Sequence, residues 1–240
     1  MKKMVEMQTN KIRIEELKPG DHIYSWRSAS VYAHHGIYIG DHKAIHFIKA
    51  GGLGSSSSRF SAHNSACICQ QCADALLQLP TQQTQAPSKG GVIISCLDTF
   101  LKGGDLYRYA YSVSMEDFRA QSRGGTCTTA PSEPPNLVLQ RARFLLETNG
   151  FGAYNLLKNN CEDFAIYCKT SLVKKKSTLS RSGQVVSVGA KVVSKVAGRI
   201  LGDNNFRAEL GSMYCYMFDI GVRKDVVKVP VERLAEHIRS

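Results

Sequence analysis

Tyr32-Ala33-His34-His35-Gly36-Ile37-Tyr38-Ile39-Gly40 is the stretch on which the reading of this chain turns. Its alternating apolar and aromatic residues have the period of a strand. Alternate side chains of a strand share a face. Ala33, His35, Ile37 and Ile39 therefore stand on one side with Val31, and Tyr32, His34, Gly36 and Tyr38 on the other. The second face is less apolar, and Gly36 leaves space beside His34. The period thus selects His34 as a cleft residue and leaves His35 a structural one. His46 follows twelve positions later in Ala44-Ile45-His46-Phe47, across the short connection Gly40-Asp41-His42-Lys43. Two antiparallel neighbours can bring His34 and His46 together, while His42 in the connection reads as structural.

Working outward, residues 12–50 read as β throughout, with a turn at Lys18-Pro19-Gly20-Asp21 and a strand at His22-Ile23-Tyr24-Ser25-Trp26. Residues 51–90 change character. Glycines, a serine run, three cysteines and a glutamine- and threonine-rich stretch read as a long loop insertion, not a second domain. Residues 92–96 and 106–113 read as further strands. Residues 137–148 carry a helical period with Val138, Ala142, Leu145 and Leu146 on one face, and Asn149-Gly150 stops it. A second helix is expected from Cys161 to about Leu172, a third over residues 185–201, and an extended segment over residues 226–231. Strands first and helices later predict an α+β protein.

The second helix opens with Asn159-Asn160-Cys161-Glu162-Asp163-Phe164. Asn160 is a good N-cap, and Asp163 completes a box-like pair. Cys161 is then the first helical residue, where the positive end of the helix favours a thiolate. Glu162 and Asp163 oppose that, so a histidine partner is needed for nucleophilic chemistry. The competing reading is structural: Cys161, Phe164, Ala165 and Cys168 form a helical stripe that could simply be core.

The segments around His34, His46 and Cys161, in that order and spacing, resemble the three signature segments of the lecithin:retinol acyltransferase-like (LRAT-like) family. Leu17-Lys18-Pro19-Gly20-Asp21 resembles the family's opening segment. Ser95-Cys96-Leu97-Asp98, the stretch from Arg123 to Thr128, and the run from Gly221 to Val231 are similar to its plant branch. The likeness covers residues 12–175. It implies a circularly permuted papain-like (NlpC/P60-type) fold, with an antiparallel sheet packed against helices and the cysteine at a helix N-terminus. It also implies thiol-dependent acyl transfer on a glycerophospholipid, with Cys161 as nucleophile, His34 as base and His46 as its orienting partner. Backbone N–H groups at the start of the Cys161 helix would then hold the oxyanion. No cofactor is implied. His35 stands where an aromatic residue is common, and Asp163 where many acyltransferases carry histidine, so the acyl acceptor stays open. Residues 154–161 also resemble the cysteine segment of permuted papain-like isopeptidases that remove ubiquitin-like modifiers, which usually rely on one histidine. A non-catalytic, membrane-associated scaffold is the third reading.

Composition bounds the setting. Thirty-one Lys and Arg against 20 Asp and Glu leave a formal charge of +11, which favours an anionic surface. Residues 185–201 carry Lys191, Lys195 and Arg199 beside a valine stripe, the pattern either of a basic helix at an anionic lipid interface or of a solvated surface helix. The basic runs lack interleaved aromatics, so nucleic acid is not expected. No signal peptide, lipidation motif or apolar run of spanning length is visible, and eight cysteines then read as reduced thiols in a cytoplasmic protein in peripheral contact with membrane. His63, Cys67, Cys69 and Cys72 form a conceivable zinc set, with cramped Cys-x-Cys spacing; free loop thiols are the alternative. Residues 1–175 are thus expected to form the LRAT-like domain, with the insertion at 51–90, and residues 176–240 a basic amphipathic C-terminal extension.

Overall fold

The computed structural model of the chain describes residues 10–27, 32–49, 90–120, 124–174, 186 and 212–239. The protein is α+β. Strands β1 (His22–Arg27), β2 (Tyr32–Gly40), β3 (Lys43–Lys49) and β4 (Gly90–Cys96) and the short β5 (Tyr107–Arg108) form one antiparallel sheet in the order β4-β3-β2-β1-β5. Between β2 and β3, Asp41 and His42 both adopt positive φ, 49° and 54°. That is the backbone of a tight primed hairpin turn, whose twist matches the strands it joins. Its register sets His46 opposite Gly36.

Helix α1 (Leu97–Leu101) follows β4, α2 (Met115–Ala120) lies beyond β5, and α3 (Pro135–Thr148) and α4 (Cys161–Thr170) complete the helical layer. Pro135 occupies the first turn of α3, where its missing N–H costs nothing, and Asn149 ends the helix in the left-handed conformation. The Asn149 side chain then accepts the Val92 N–H at 2.9 Å, tying the helix end to β4. Helices α3 and α4 cover one sheet face over Ile37, Ile45, Phe47 and Val92; Val138, Leu145, Phe164 and Ala165 meet them from the helices. Helix α1 covers the other face, where Leu97 and Phe100 pack with Ile23, Tyr38, Ala44 and Leu106.

Two strands, β6 (Leu172–Lys174) and β7 (Val226–Lys228), pair as a separate ribbon. Val229, Val231 and Leu234, the last in α5 (Leu234–Arg239), enter the core beneath α3 and α4. Asp219 accepts the Thr128 hydroxyl at 2.7 Å and the Thr129 and Gly221 N–H groups at 3.0 and 3.2 Å. Gly221 lies so close to the 129–130 backbone that a Cβ there would stand 2.3 Å from the Ala130 nitrogen.

Three expectations are corrected. Residues 106–113 are not one strand: only Tyr107 and Arg108 pair with β1. Beyond them Ala110 pairs with Cys127 instead, and Ser112 takes φ 56°. Residues 14–16 form a 3-10 turn rather than β structure. The second helix stops at Thr170, because Ser171 adopts φ 56° and Leu172 already belongs to the ribbon. Apart from residue 186, the candidate basic helix at 185–201 lies outside the described residues, as do the candidate metal ligands His63, Cys67, Cys69 and Cys72. No group of His, Cys, Asp or Glu among the described residues is arranged to hold a metal ion.

Candidate active site

Cys161 opens α4, and local sequence dictates how. Asn160 is extended at φ −116°, and its side chain accepts the Glu162 and Asp163 N–H groups at 2.9 and 3.1 Å. Asp163 in turn accepts the Asn160 N–H at 3.0 Å. This is a capping box with Asp in the place of the usual Glu. It has a chemical consequence: two N–H groups of the first turn are occupied by the cap, so the Cys161 N–H is the first-turn donor left for an oxyanion.

The sulfur of Cys161 lies 3.9 Å from the Ala33 carbonyl oxygen, and the His35 N–H points at it as well. The strand explains this. Tyr38 directs its N–H and C=O to Asp21 and Gly20, on the β1 side. Backbone groups alternate along a strand, so those of Ala33 and His35 face β3. The β2–β3 ladder runs only as far as Gly36 opposite His46. Beyond that point the Cys161 thiol stands where the next ladder partner would be.

On the opposite face from α3 and α4, His34 and His46 meet. The ring nitrogens His34 Nε2 and His46 Nδ1 are 2.8 Å apart, and His46 Nε2 is 2.8 Å from Ser95 Oγ. The Ser95 hydroxyl donates its single hydrogen to the Cys96 carbonyl at 3.2 Å, so it accepts from His46 Nε2–H. His46 Nδ1 is then an acceptor, His34 Nε2 a donor, and the lone pair of His34 falls on Nδ1. The space beside Gly36 is filled: a Cβ there would come within 2.9 Å of Phe100 and 3.0 Å of the His46 Cβ. Phe100 packs at 5.2 Å from the His34 ring and 5.4 Å from that of His46.

Burial holds both histidines neutral. The His34 pKa is driven well below its ordinary value, first by desolvation and then by His46 and the Arg27 guanidinium. That of His46 falls to about 3, again chiefly by desolvation. The Cys161 thiol is pushed up to about 11 by burial; Glu162 and Asp163 push the same way, while the His35 N–H and the Tyr154 hydroxyl pull it back. The resting pair is a neutral thiol and a neutral imidazole, not a thiolate–imidazolium ion pair. No hydrogen bond joins His34 to Cys161; the sulfur contacts the backbone of the residue just before His34.

Three contributors were not assigned from sequence. Ser95 opens the Ser95-Cys96-Leu97-Asp98 stretch, but its role needs β4 paired beside β3. Tyr154 lies in the segment before Cys161, where only the hydroxyl's proximity to the thiol gives it meaning. Arg27 donates to the Ser25 hydroxyl and the Leu101 carbonyl, each at 2.8 Å, and to the Phe100 carbonyl, so it fastens the end of α1 over the histidine pair.

An antiparallel sheet with helices on it, a buried cysteine at a capped helix start and a histidine pair on the neighbouring strands define a class of proteins. Residues 15–174 match the lecithin retinol acyltransferase family, and the chain belongs to it. The family is generally acyltransferase- and phospholipase-like. The chain is 43% identical to Protein LEAD-SENSITIVE 1 of Arabidopsis thaliana, in an alignment covering 97% of this chain and 91% of that protein. No solved structure matches the chain. Among the described residues, no helix is long and apolar enough to cross a membrane.

Proposed function

We propose that the protein transfers acyl groups from a glycerophospholipid or similar ester through a thioester on Cys161, on a circularly permuted papain-like (NlpC/P60-type) fold whose histidine strands precede the cysteine helix. The observation that carries the reading is the hydrogen-bonded line from Ser95 through His46 to His34, which occupies His34 Nε2 and leaves Nδ1 as the nitrogen turned to a reactant. His34 takes the thiol proton as the sulfur attacks the ester carbonyl. The tetrahedral intermediate expels the alcohol, and His34 returns the proton to that leaving oxygen. Water, an amine or an alcohol then attacks the thioester and frees Cys161. Because both groups start neutral, proton transfer accompanies attack rather than preceding it. The Cys161 N–H and the Tyr154 hydroxyl are the donors for the oxyanion. An isopeptidase of related fold usually relies on one histidine, so the His34–His46 pair favours acyl transfer.

Intact-mass analysis after incubation with phosphatidylcholine vesicles tests this. Wild type is expected to gain one acyl-sized increment that hydroxylamine removes, and Cys161→Ala none. Wild type that stays unmodified with neutral and anionic vesicles alike, while soluble and membrane ester pools remain intact, would remove the proposal.

A further inference from the structure

Immediately before the nucleophile, two neighbouring leucines are turned outward. Leu156 and Leu157 are 61% and 59% exposed, and Lys158 follows them. Isolated exposed leucines are ordinary on a protein surface. This pair is different because the chain is braced to hold it there. Asn155 and Asn159 exchange both backbone hydrogen bonds, each 2.8 Å, closing the base of the turn. The Asn155 side chain accepts the Leu157 and Lys158 N–H groups, both at 3.0 Å. Asn160 donates its amide to the Leu156 carbonyl at 2.9 Å, and Asn159 donates to the Phe151 and Ala153 carbonyls at 2.7 and 3.2 Å. These backbone and side-chain clamps fix the backbone of one short turn that presents both leucines to the surface.

The surroundings share the character of the tip. Tyr32 is 47% exposed, and its hydroxyl and Cys161 both act electrostatically on Tyr154. Ile238, 40% exposed, flanks Gly152 at the base of the turn together with the Asn159 amide. The tip carries a cation and no carboxylate; Glu162 and Asp163, which follow in sequence, are fully buried.

We propose that the Leu156-Leu157-Lys158 turn is an interfacial wedge that seats the mouth of the Cys161 site on an anionic lipid bilayer. The leucines enter the boundary between headgroups and acyl chains, the tyrosine ring lies at headgroup level, and the Lys158 ammonium meets lipid phosphates. The overall charge of +11 supplies the long-range attraction. The inference rests on the lipid-substrate reading and names the surface through which it would operate: Asn160 joins the wedge directly to the helix that carries the nucleophile, so docking and access to an ester are one geometry.

The test uses the full chain carrying Cys161→Ala, so that partitioning is measured apart from chemistry. Sedimentation with phosphatidylcholine–phosphatidylserine vesicles is expected to fall by about tenfold for each leucine replaced, in Leu156→Ser, Leu157→Ser and the double variant. Lys158→Glu should weaken binding to these vesicles and leave binding to pure phosphatidylcholine unchanged. Thermal melting of each variant shows whether it is folded, as exposed positions should allow. In a Trp26→Phe background, the indole introduced by Leu157→Trp should be quenched by lipids brominated along the acyl chain. Unchanged partitioning of the folded double variant, or indole fluorescence untouched by brominated lipid on bound protein, overturns the proposal. So does loss of binding to an acidic protein surface with vesicle binding intact. Wedge-dependent partitioning by this chain, in a protein whose wild type forms no hydroxylamine-labile adduct on Cys161, would uphold the docking surface and refute the acyl-transfer reading.

Discussion

His34 and His35 are neighbours in one strand, yet they serve two histidine pairs on opposite faces of the sheet. His34 meets His46, which leans on Ser95. His35 meets His22 at 2.9 Å, and His22 leans on the Tyr111 hydroxyl at 2.8 Å. The two lines have the same composition: an imidazole, a second imidazole, and a hydroxyl that orients it. Their surroundings differ. His22 and His35 are 1% and 0% exposed, with Tyr109 stacked on His22 at 4.3 Å and Tyr24 stacked on His35 at 5.4 Å. In the other pair His46 is sealed, at 2%, while His34 is half-buried. Identical groups become a structural fixture or a candidate base according to whether one ring keeps a side open to a reactant. The lesson concerns solvent access more than residue type.

The largest effect expected to break the comparison is on catalysis. His34→Gln keeps a hydrogen-bonding group against His46 but removes the proposed base, so acylation of Cys161 should slow by roughly 10²–10⁴-fold with melting temperature little changed. An acylation rate within a few-fold of wild type would remove His34 from the chemistry and make the two pairs equivalent.

A second contrast is in acid stability. His22, His35 and His46 are sealed, and burial lowers the pKa of each, to about 3 for His35 and His46. Between pH 6.5 and about 3 the His35 and His46 rings are neutral when folded and protonated when unfolded, and the buried His22 ring shifts in the same direction. The unfolded state then binds more protons, so stability is complete above pH 6.5 and is lost as the pH falls below it, by up to about 1.4 kcal/mol per pH unit for each ring. His34, which keeps a route to solvent, should contribute less. Denaturant titrations of Cys161→Ala from pH 7 to pH 4 measure the slope. A flat profile would mean that the sealed rings are already charged in the fold.

The smallest effect separates the sealed pair from the open one. His35→Phe preserves the ring but leaves His22 Nε2 buried without its partner, which should cost about 1–3 kcal/mol at pH 7. It should also reduce the acid dependence by about one proton, because one neutral imidazole is gone. A variant as stable as wild type would show that water or rotation of His22 satisfies that nitrogen.

The alternation of residues 32–40 was enough to put His34 and His35 on opposite faces, and the short connection at 40–43 was enough to bring His46 beside His34. Both are local signals, decided by strand period and turn length. The cap of α4 was equally legible, since Asn160 and Asp163 are three residues apart. What escaped needs distant pairing. Ser95 orients His46 from 49 positions away. Residues 106–113 read as one strand, and within them Tyr109 and Tyr111 line the His22 pair. The backbone nevertheless leaves β1 after Tyr109, whose N–H still reaches the His22 carbonyl, and Ala110 pairs with Cys127, a choice no local pattern records. The first-turn N–H groups were expected to serve an oxyanion. The same Asn160 that marks the helix start occupies two of them.

Val229, Val231 and Leu234 complete the core into which α4 packs, yet they come long after that helix in the chain. During synthesis the helix bearing Cys161 leaves the ribosome first and waits for them. At about 5–20 residues per second, the 64 residues from Thr170 to Leu234 take roughly 3–13 s to follow. Through that interval the nascent chain carries Cys161 on an unfinished scaffold, and only the arrival of the Val229–Leu234 segment closes it.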